Sequence, residues 1–329
     1  MMDLTLTQSF SLIALNGQRS LEMTVPKKVA LRCMAAAVIV ELYMENGFTH
    51  SQTQLTLSQE VLNQSRSLPY RDVIVKSLAR KNESIGDLRN WLRRASSLPA
   101  STLKKLESAV AQSLRNEGIL EEIPHILGSD LYFHTAGVSI KEYRTHPKYY
   151  TSITEFLRAD ILEDGEAADE TVAMLWLLRE SGCLLDFFSR NEMEQVSAKM
   201  IALYKGNALA QVLYATQIRR GMELGIKQYF RMKKKTIKTP VGSGLNFVFP
   251  VLERSQAIFI DTEKMFPNPT ARLHDVRTRL ESKGHIVNVL KDGDVPIIKV
   301  DNVIYDAVPH AVYGRVPIHG VRLVPKCPF

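Results

Sequence analysis

The sequence predicts a mainly α protein: a multi-helix globular domain around a buried central helix, with short β-hairpins, followed by a small C-terminal α/β domain. Segments with helical apolar spacing dominate the chain up to residue 238. One of them runs from Pro26 to Met44, and its middle, MAAAVIVELYM, is apolar on nearly every side, which is typical of a helix inside a core. After a basic run that passes into Pro and Gly, runs of strand length surround a single helical segment. We therefore predict two domains, residues 1–238 and 245–329.

The composition is that of an ordinary globular protein. The 329 residues are 45% hydrophobic and 23% charged, which excludes disorder for most of the chain. The formal net charge of +7 favours polyanionic partners, either nucleic acid or an anionic membrane surface. A charge of this size also serves solubility alone, and that alternative stays open.

The cysteines and the apolar runs indicate the compartment. Cys33 and Cys183 lie in apolar helical patterns and are predicted to be core residues, as a reducing compartment allows. The N-terminus has no basic region followed by an apolar one, and the longest apolar run, residues 34–40, is too short to span a bilayer. We expect a cytoplasmic protein, neither secreted nor transmembrane, that meets membranes peripherally.

Turn and capping residues bound the elements of the first part. A helix from Leu4 to Leu15 ends at Asn16-Gly17, and the central helix ends at Asn46-Gly47. The alternating segment that follows predicts a strand pair, with Phe48, Leu55 and Leu57 on its apolar face. The next helices are predicted at Tyr70 to Ala79, Ser84 to Ala95 (with a capping start at Ser84) and Thr102 to Glu117.

A second helix-then-hairpin unit follows Gly118. Two short apolar runs flank Gly128-Ser129-Asp130, which predicts a β-hairpin. In the C-terminal part, LNFVFPVL and AIFID read as strands, a helix ends at Gly284, and further strands lie around Asp292-Gly293-Asp294. Between these parts, helices are predicted at Tyr149 to Ile161, Asp169 to Ser181, Arg190 to Tyr204 and, as one long helix, Ala208 to about Lys235.

No pattern of catalytic or metal-binding residues stands out in the sequence. Nucleophile elbows, phosphate-binding loops and zinc motifs are missing, and the Gly-rich stretch at residues 241–244 reads as a linker. Asp306 and His310 are four apart, but in a segment that looks extended rather than helical. The histidines His50, His125 and His134 are interpreted as hairpin edge residues. We predict a non-enzyme with no cofactor and no metal.

Basic residues gather at two helix starts. Lys27 and Lys28 follow Pro26, with Arg32 one turn later, where free N–H groups and the helix dipole already favour an anion. Lys104 and Lys105 occupy the predicted first turn of another helix, where they oppose the dipole unless something negative compensates. We predict that these side chains converge on a shared pocket for a lipid headgroup: Lys27, Lys28, Arg32, Lys104 and Lys105.

A further basic run follows the long predicted helix. Aromatic residues interleave with its charges, and each basic residue near an anionic leaflet contributes about 1 kcal/mol of attraction. A solvated helix end followed by a linker is the alternative. The predicted membrane-surface residues are Arg231, Lys233, Lys234 and Lys235.

The order of elements over residues 3–205 resembles the Golgi phosphoprotein 3 family. The segments that carry the resemblance are LTLTQSFSLIAL, AAAVIVELYMENGF, Asn90-Trp91, NEGIL at residues 116–120 and AMLWLLRESGCLLDFF at residues 173–188. The C-terminal α/β part has no counterpart in that resemblance.

The resemblance implies a helical module that binds phosphatidylinositol 4-phosphate without catalysis. The family's lipid-contacting Trp and Arg fall near Pro26 and Ala35, and its later Arg pair near Lys104 and Glu107, so that only Lys104 keeps the charge. The nearby Lys27, Lys28, Arg32 and Lys105 are the candidates to substitute for the missing charges.

The leading hypothesis is therefore a peripheral membrane-associating module that binds anionic, phosphoinositide-like headgroups. The alternative is a nucleic-acid-binding regulator of winged-helix type, because a helix, Gly118 and a hairpin follow one another. Its reading helix would expose Lys104, Lys105, Ser108, Gln112 and Arg115. A third possibility is a structural adaptor whose C-terminal domain holds a protein partner.

Overall fold

The protein is mainly α, with some β structure, in a computed structural model. None of the helices that this structure describes is both long and apolar enough to cross a membrane. The described residues are 4–51, 54–58, 60–61, 68–79, 85–130, 141–163, 165–218, 238–239, 242–243, 257–262, 268–313 and 317–326.

Helix α2 (Val25–Met44) is the centre of the molecule, as its sequence predicts. Fifteen of the residues from Pro26 to Leu42 are buried, because apolar side chains cover every face of the helix. Helix α1 (Leu6–Leu15) packs against it and begins with a capping box between Thr5 and Gln8. The chain leaves α2 at Gly47, where any side chain would meet the Leu42 carbonyl oxygen at 2.8 Å.

The predicted strand pair after α2 is confirmed. Strand β1 (Phe48–Ser51) pairs antiparallel with β2 (Gln54–Leu57), and their apolar side chains are buried. The predicted helix start at Ser84 is wrong, because Ile85–Gly86 forms strand β3 against β2 and Asp87 caps the helix instead. The helices beside this sheet are α3 (Pro69–Ala79) and α4 (Leu88–Ser96).

Helix α5 (Ala100–Asn116) begins two residues before its predicted start, so Lys104 and Lys105 lie in its second turn. Strand β4 (Leu120–Pro124) follows and pairs antiparallel with β5 (Lys141–Thr145). The predicted hairpin around Gly128-Ser129-Asp130 is therefore wrong: Ile126–Ser129 is a 3-10 helix, and the partner of β4 lies further along the chain. The predicted second strand, after Asp130, lies outside the described residues.

Four helices complete the helical part. The first three match their predicted positions closely, since each has apolar positions at helical spacing. The predicted long helix from Ala208 is wrong in length, because it ends at Tyr214 and the chain turns at Ala215 to Ile218. The four helices are α6 (Pro147–Leu162), α7 (Asp169–Ser181), α8 (Arg190–Gly206) and α9 (Ala208–Tyr214).

The described residues of the C-terminal part form a five-stranded antiparallel sheet with one helix. The sheet order is β8-β12-β11-β10-β9, with α10 (Pro269–Ser282) packed on it and Gly284 ending that helix at φ 89°. Asp306 and His310 lie on β11, so the predicted extended conformation is confirmed. The strands are β8 (Ile258–Asp261), β9 (Val287–Lys291), β10 (Ile297–Val300), β11 (Val303–Val312) and β12 (Ile318–Pro325); the two-residue strands β6 (Lys238–Thr239) and β7 (Gly242–Ser243) precede them.

Two hydrophobic clusters form the core. The larger joins the helices with β1, β2, β4 and β5, and contains Cys33 and Cys183, which are buried as predicted. The smaller lies between α10 and the C-terminal sheet. It also includes Ile126 and Leu127 from the 3-10 helix after β4, so the helical part contributes side chains to the C-terminal core.

Candidate functional site

Lys27 is buried and does not reach the surface. Its side chain is 1% exposed, and its ammonium group lies 2.8 Å from Glu107 Oε1, 2.6 Å from the Arg19 carbonyl oxygen and 3.2 Å from that of Ser20. An ammonium group has three N–H donors, and these three acceptors use all of them. Lys27 therefore has no donor left for a headgroup in the structure, and its predicted role as a headgroup contact has no support there.

The Lys27–Glu107 ion pair joins the first turn of α2 to the middle of α5. Burial raises the pKa of Glu107, while the hydrogen bonds from Lys27 and Tyr143 act in the opposite direction. The Tyr143 hydroxyl on β5 donates to Glu107 Oε1 at 3.1 Å. Three elements thus meet at one buried carboxylate, so the pair has a structural role.

The other four predicted basic residues lie nearer the surface. Lys104 and Lys105 are exposed, and Lys28 and Arg32 are partly buried. None of the four makes an ion pair with another described residue, and Arg32 Nε is buried with no hydrogen-bond partner there. The charge of Lys104, which is exposed on α5, opposes the rise in the pKa of Glu107 that burial causes.

The predicted pocket of basic side chains does not form around Lys27. The Lys27–Glu107 ion pair joins α2, which carries Lys28, to α5, which carries Lys104. A cavity between the helical part and the C-terminal sheet is lined by none of the five predicted residues. The predicted membrane-surface residues Arg231, Lys233, Lys234 and Lys235 lie outside the described residues.

A cavity lies where the helical part meets the C-terminal sheet. It is bounded on one side by residues from the end of α1 and from β5, and on the other by the turn between β10 and β11. The polar residues that line it are Asn16, His125, Glu142, Arg144, Asp301 and Asn302.

Arg144 on β5 is the centre of the contacts across this joint. Its guanidinium lies 2.7 Å from Glu121 Oε2 and 2.8 Å from Asp301 Oδ1, and it donates to the Gly284 carbonyl oxygen at 2.7 Å. Asn302 adds hydrogen bonds to Asn16 Oδ1 and to the Thr145 carbonyl oxygen, each at 2.9 Å.

Asp301 is held as a carboxylate by its neighbours. Burial opposes its ionisation, but the hydrogen bond from His285, the Ile286 N–H and Arg144 together keep its pKa below the usual value. Its φ of 54° lies in the left-handed region, which Asp tolerates better than most residues and which the tight turn between β10 and β11 requires.

Two histidines are buried beside these charges. His125 Nδ1 accepts the Leu127 N–H at 3.0 Å, and its Nε2 lies 3.2 Å from Glu142 Oε2. Burial, together with nearby Arg19 and His285, lowers the pKa of His125 to about 3. The prediction of an edge position for His125 is wrong, because the residue is only 6% exposed. Within the described part of the chain, the group able to hold a metal ion is Glu142, His285 and Asp301.

Sequence reasoning missed this cluster. Its members, Glu142, His285 and Asp301, come from strand β5, from the residue after Gly284 and from a two-residue turn, and they lie up to 159 positions apart along the chain. No local spacing links them. The available signal was weak: polar residues, Arg144 and Glu142, in a short strand beside apolar ones.

No family model matches the chain, and no curated protein sequence matches it either.

Proposed function

We propose that the chain binds anionic phospholipid headgroups without catalysis, as a peripheral membrane-associating module. The observation that carries the proposal is the set of basic side chains on two joined helices. Lys28 and Arg32 on α2, and Lys104 and Lys105 on α5, have no acidic partner among the described residues. Neither helix has an acidic residue in its first turn.

Unpaired basic residues of this kind favour a polyanion. Most of the arginines in the described helices are matched by carboxylates, for example Arg71 by Glu41 and Glu45. The four residues in the N-terminal halves of α2 and α5 keep their charge available, in a chain of net charge +7. Each contributes on the order of 1 kcal/mol near an anionic leaflet, so four together hold a protein at a membrane reversibly.

The same proposal includes the organisation of the helical part and the C-terminal sheet. We infer that the helical part is a Golgi phosphoprotein 3-like module around α2, and that the C-terminal sheet is an addition to it. The burial of α2 on all sides and the strand pair after it support this reading. Lys27 then acts as a structural residue, and Lys28, Arg32, Lys104 and Lys105 remain as the headgroup contacts.

Vesicle co-sedimentation tests the proposal. The chain should bind vesicles that contain phosphatidylinositol 4-phosphate or phosphatidylserine, bind neutral phosphatidylcholine vesicles much less, and lose binding as salt rises. Lys104→Gln with Lys105→Gln removes two exposed charges. It should weaken binding roughly 30-fold, the factor that about 2 kcal/mol gives.

A matched variant separates the site from net charge. Lys148→Gln with Lys205→Gln removes two exposed lysines from α6 and α8 and should leave binding within about twofold if attraction is local to the site. Equal binding to acidic and neutral vesicles, or equal losses in the two double variants, would contradict a headgroup site at α2 and α5.

One observation favours nucleic acid as a second candidate. The side chains predicted for a reading helix, Lys104, Lys105, Ser108, Gln112 and Arg115, are all exposed on α5. Against it, strand β5, in the place of a wing, is buried at its last four residues against other parts of the chain.

Salt-titrated binding to duplex DNA distinguishes the two candidates. Gln112→Ala should leave vesicle binding unchanged, because glutamine carries no charge. If α5 reads bases, the same substitution should cost about 1–3 kcal/mol of DNA binding. A chain that binds DNA tightly and vesicles weakly would favour the second candidate.

A further inference from the structure

Strand β9 forms one edge of the C-terminal sheet. It has β10 on one side, and no described strand pairs with its other side. Three of the thirteen exposed large apolar side chains of the described structure lie on or beside it: Ile286 (38%), Val289 (41%) and Leu290 (53%). No other stretch of five described residues holds more than two. An open, apolar sheet edge of this kind is a template for a further strand.

The hydrogen bonds beside β9 show which of its backbone groups face the open side. The Asp301 N–H donates to the Ile286 carbonyl oxygen at 2.8 Å, so Ile286 directs its backbone groups towards the β10 side. Residues of an antiparallel strand alternate in this respect, so Asn288 also faces β10. Val287 and Val289 therefore direct their N–H and carbonyl groups to the open side, where another strand can bind them.

This edge is complementary to itself. A two-fold axis through Asn288, perpendicular to the sheet, places Val287 of each copy opposite Val289 of the other, so that both pairs exchange backbone hydrogen bonds. The same register places Ile286 opposite Leu290, and each exposed apolar side chain then covers its counterpart in the other copy. Residues 286–290 carry no charge that would oppose the contact.

The charges at the two ends of β9 match in the same arrangement. Antiparallel pairing brings the residues after β9 in one copy beside those before β9 in the other. Asp292 and Asp294, exposed after β9, then lie beside Lys283 at the end of α10. Within the described structure these three residues form no ion pair, and Lys283 uses one of its three N–H donors on the Gly128 carbonyl oxygen.

We propose that two copies of the chain pair through β9, so that their two five-stranded sheets become one continuous sheet. The partner is a second copy rather than an unrelated strand, because the apolar match of Ile286 with Leu290 and the charge match of Lys283 with Asp292 repeat on both sides of the axis. The contact uses the C-terminal sheet alone and does not depend on lipid binding.

Sedimentation velocity of the full chain tests for the dimer. The wild type should pass from monomer to dimer as its concentration rises to roughly 0.5 mM, a range that detects even weak pairing. Leu290→Lys places like charges in the contact and should weaken dimerisation at least about 10-fold. Val289→Pro removes an N–H that does not bond to β10, so it should abolish the dimer and keep the sheet. The matched control Phe156→Lys alters a side chain on α6 that is 60% exposed and should leave dimerisation unchanged.

A cross-link tests the register. At the axis the Cα atoms of Asn288 in the two copies lie about 4.5 Å apart, within the range that a disulfide needs. In a Cys327→Ser background, mild oxidation should therefore join two copies of Asn288→Cys. Lys291→Cys, on the same strand, should stay uncoupled, because its two copies lie about 20 Å apart. Cys33 and Cys183 are buried and should not react.

Circular dichroism shows whether each variant is folded. If Val289→Pro unfolds the sheet, Leu290→Lys and the Asn288→Cys cross-link carry the test, because neither removes a backbone hydrogen bond. The proposal is overturned if the wild-type chain stays monomeric over the whole range, if Leu290→Lys weakens a dimer no more than Phe156→Lys does, or if Lys291→Cys cross-links as readily as Asn288→Cys.

Discussion

Two neighbouring lysines illustrate how context decides the role of a residue. Lys27 and Lys28 have the same side chain and lie in the same helical turn, yet Lys27 is buried in an ion pair and Lys28 is partly exposed. Burying a charge is tolerable only when partners replace the water, and Glu107 with two carbonyl oxygens does so for Lys27.

Replacing Lys27 should destabilise the fold strongly. Lys27→Met leaves the Glu107 carboxylate buried without its cation, which should lower the free energy of unfolding by roughly 3–5 kcal/mol. Urea denaturation followed by circular dichroism measures this. The double variant Lys27→Met with Glu107→Leu removes both charges and should recover a large part of the loss.

Lys28→Met is the matched control at the residue scale. Because Lys28 has no ion pair among the described residues, its replacement should change the free energy of unfolding by less than about 0.5 kcal/mol. Equal effects of the two single variants would show that the Lys27–Glu107 pair is not a buried structural contact.

The sequence placed Lys27 in the first turn of its helix but gave no sign of its partner. Glu107 is 80 residues away and lies on another helix. Its carboxylate faces inward only because of how α5 packs, which no local pattern reports. The same limit applies to His125, whose neighbours Glu142 and His285 come from distant segments.

At the scale of elements, helices were predictable and connections were not. The helix α2 and the helices around it follow from apolar spacing and from terminal residues such as Pro26 and Asn46. The turn residues Gly128-Ser129-Asp130 misled the prediction, because the same chemistry that makes a hairpin also suits a 3-10 turn. The partner of β4 is β5, which is held against α1 by the hydrogen bond from the Thr145 hydroxyl to the Leu12 carbonyl oxygen, and no tight turn joins the two strands.

The contact between α6 and α8 should depend on pH. Arg158 on α6 pairs with Glu192 in the first turn of α8, where the Ser189 N–H also donates to it at 2.7 Å. Arg158, and then the Ser189 N–H, lower the pKa of Glu192 to about 2. A carboxylate with a lowered folded-state pKa stabilises the fold above its unfolded pKa, near 4.3, and loses this contribution as the pH falls through about 2.

Glu192→Gln removes this pH dependence. At pH 6 the wild type should be more stable than the variant by on the order of 1 kcal/mol, since the pair is partly exposed. The difference should shrink between pH 4.5 and 2. Chemical denaturation at several pH values measures it, with Arg158→Gln as the companion that should show the same loss. A difference that is constant over this range would contradict the account.

At the scale of the whole molecule, the joint at Arg144 links the helical part to the C-terminal sheet. The sequence predicted both parts from a change in pattern near residue 238, but not how they meet. The joint uses buried polar groups from strands and turns. In the sequence, a polar residue of a short strand looks the same whether it lies in such a joint or at an exposed sheet edge. The sequence likewise does not show that Ile126 and Leu127 pack into the C-terminal core.

Arg144→Met should loosen the C-terminal sheet. It removes the ion pairs to Glu121 and Asp301 and leaves the Asp301 carboxylate without its guanidinium, which should cost roughly 3 kcal/mol. Amide hydrogen exchange should then rise in the turn at Asp301-Asn302 and in β9, while α2 stays protected. The control Arg93→Met alters an exposed arginine on α4 and should leave exchange unchanged; increased exchange in α2 as well would mean that the two parts unfold as one.

The proposed contact with an anionic membrane surface is made by the N-terminal halves of α2 and α5. Hydrogen exchange of the chain on vesicles, compared with the free chain, tests it most directly, because protection marks the segments in contact. On vesicles with phosphatidylinositol 4-phosphate, protection should appear at residues 24–32 and 100–105, and not on neutral vesicles. Protection confined to other segments, or identical on both kinds of vesicle, would contradict the claim.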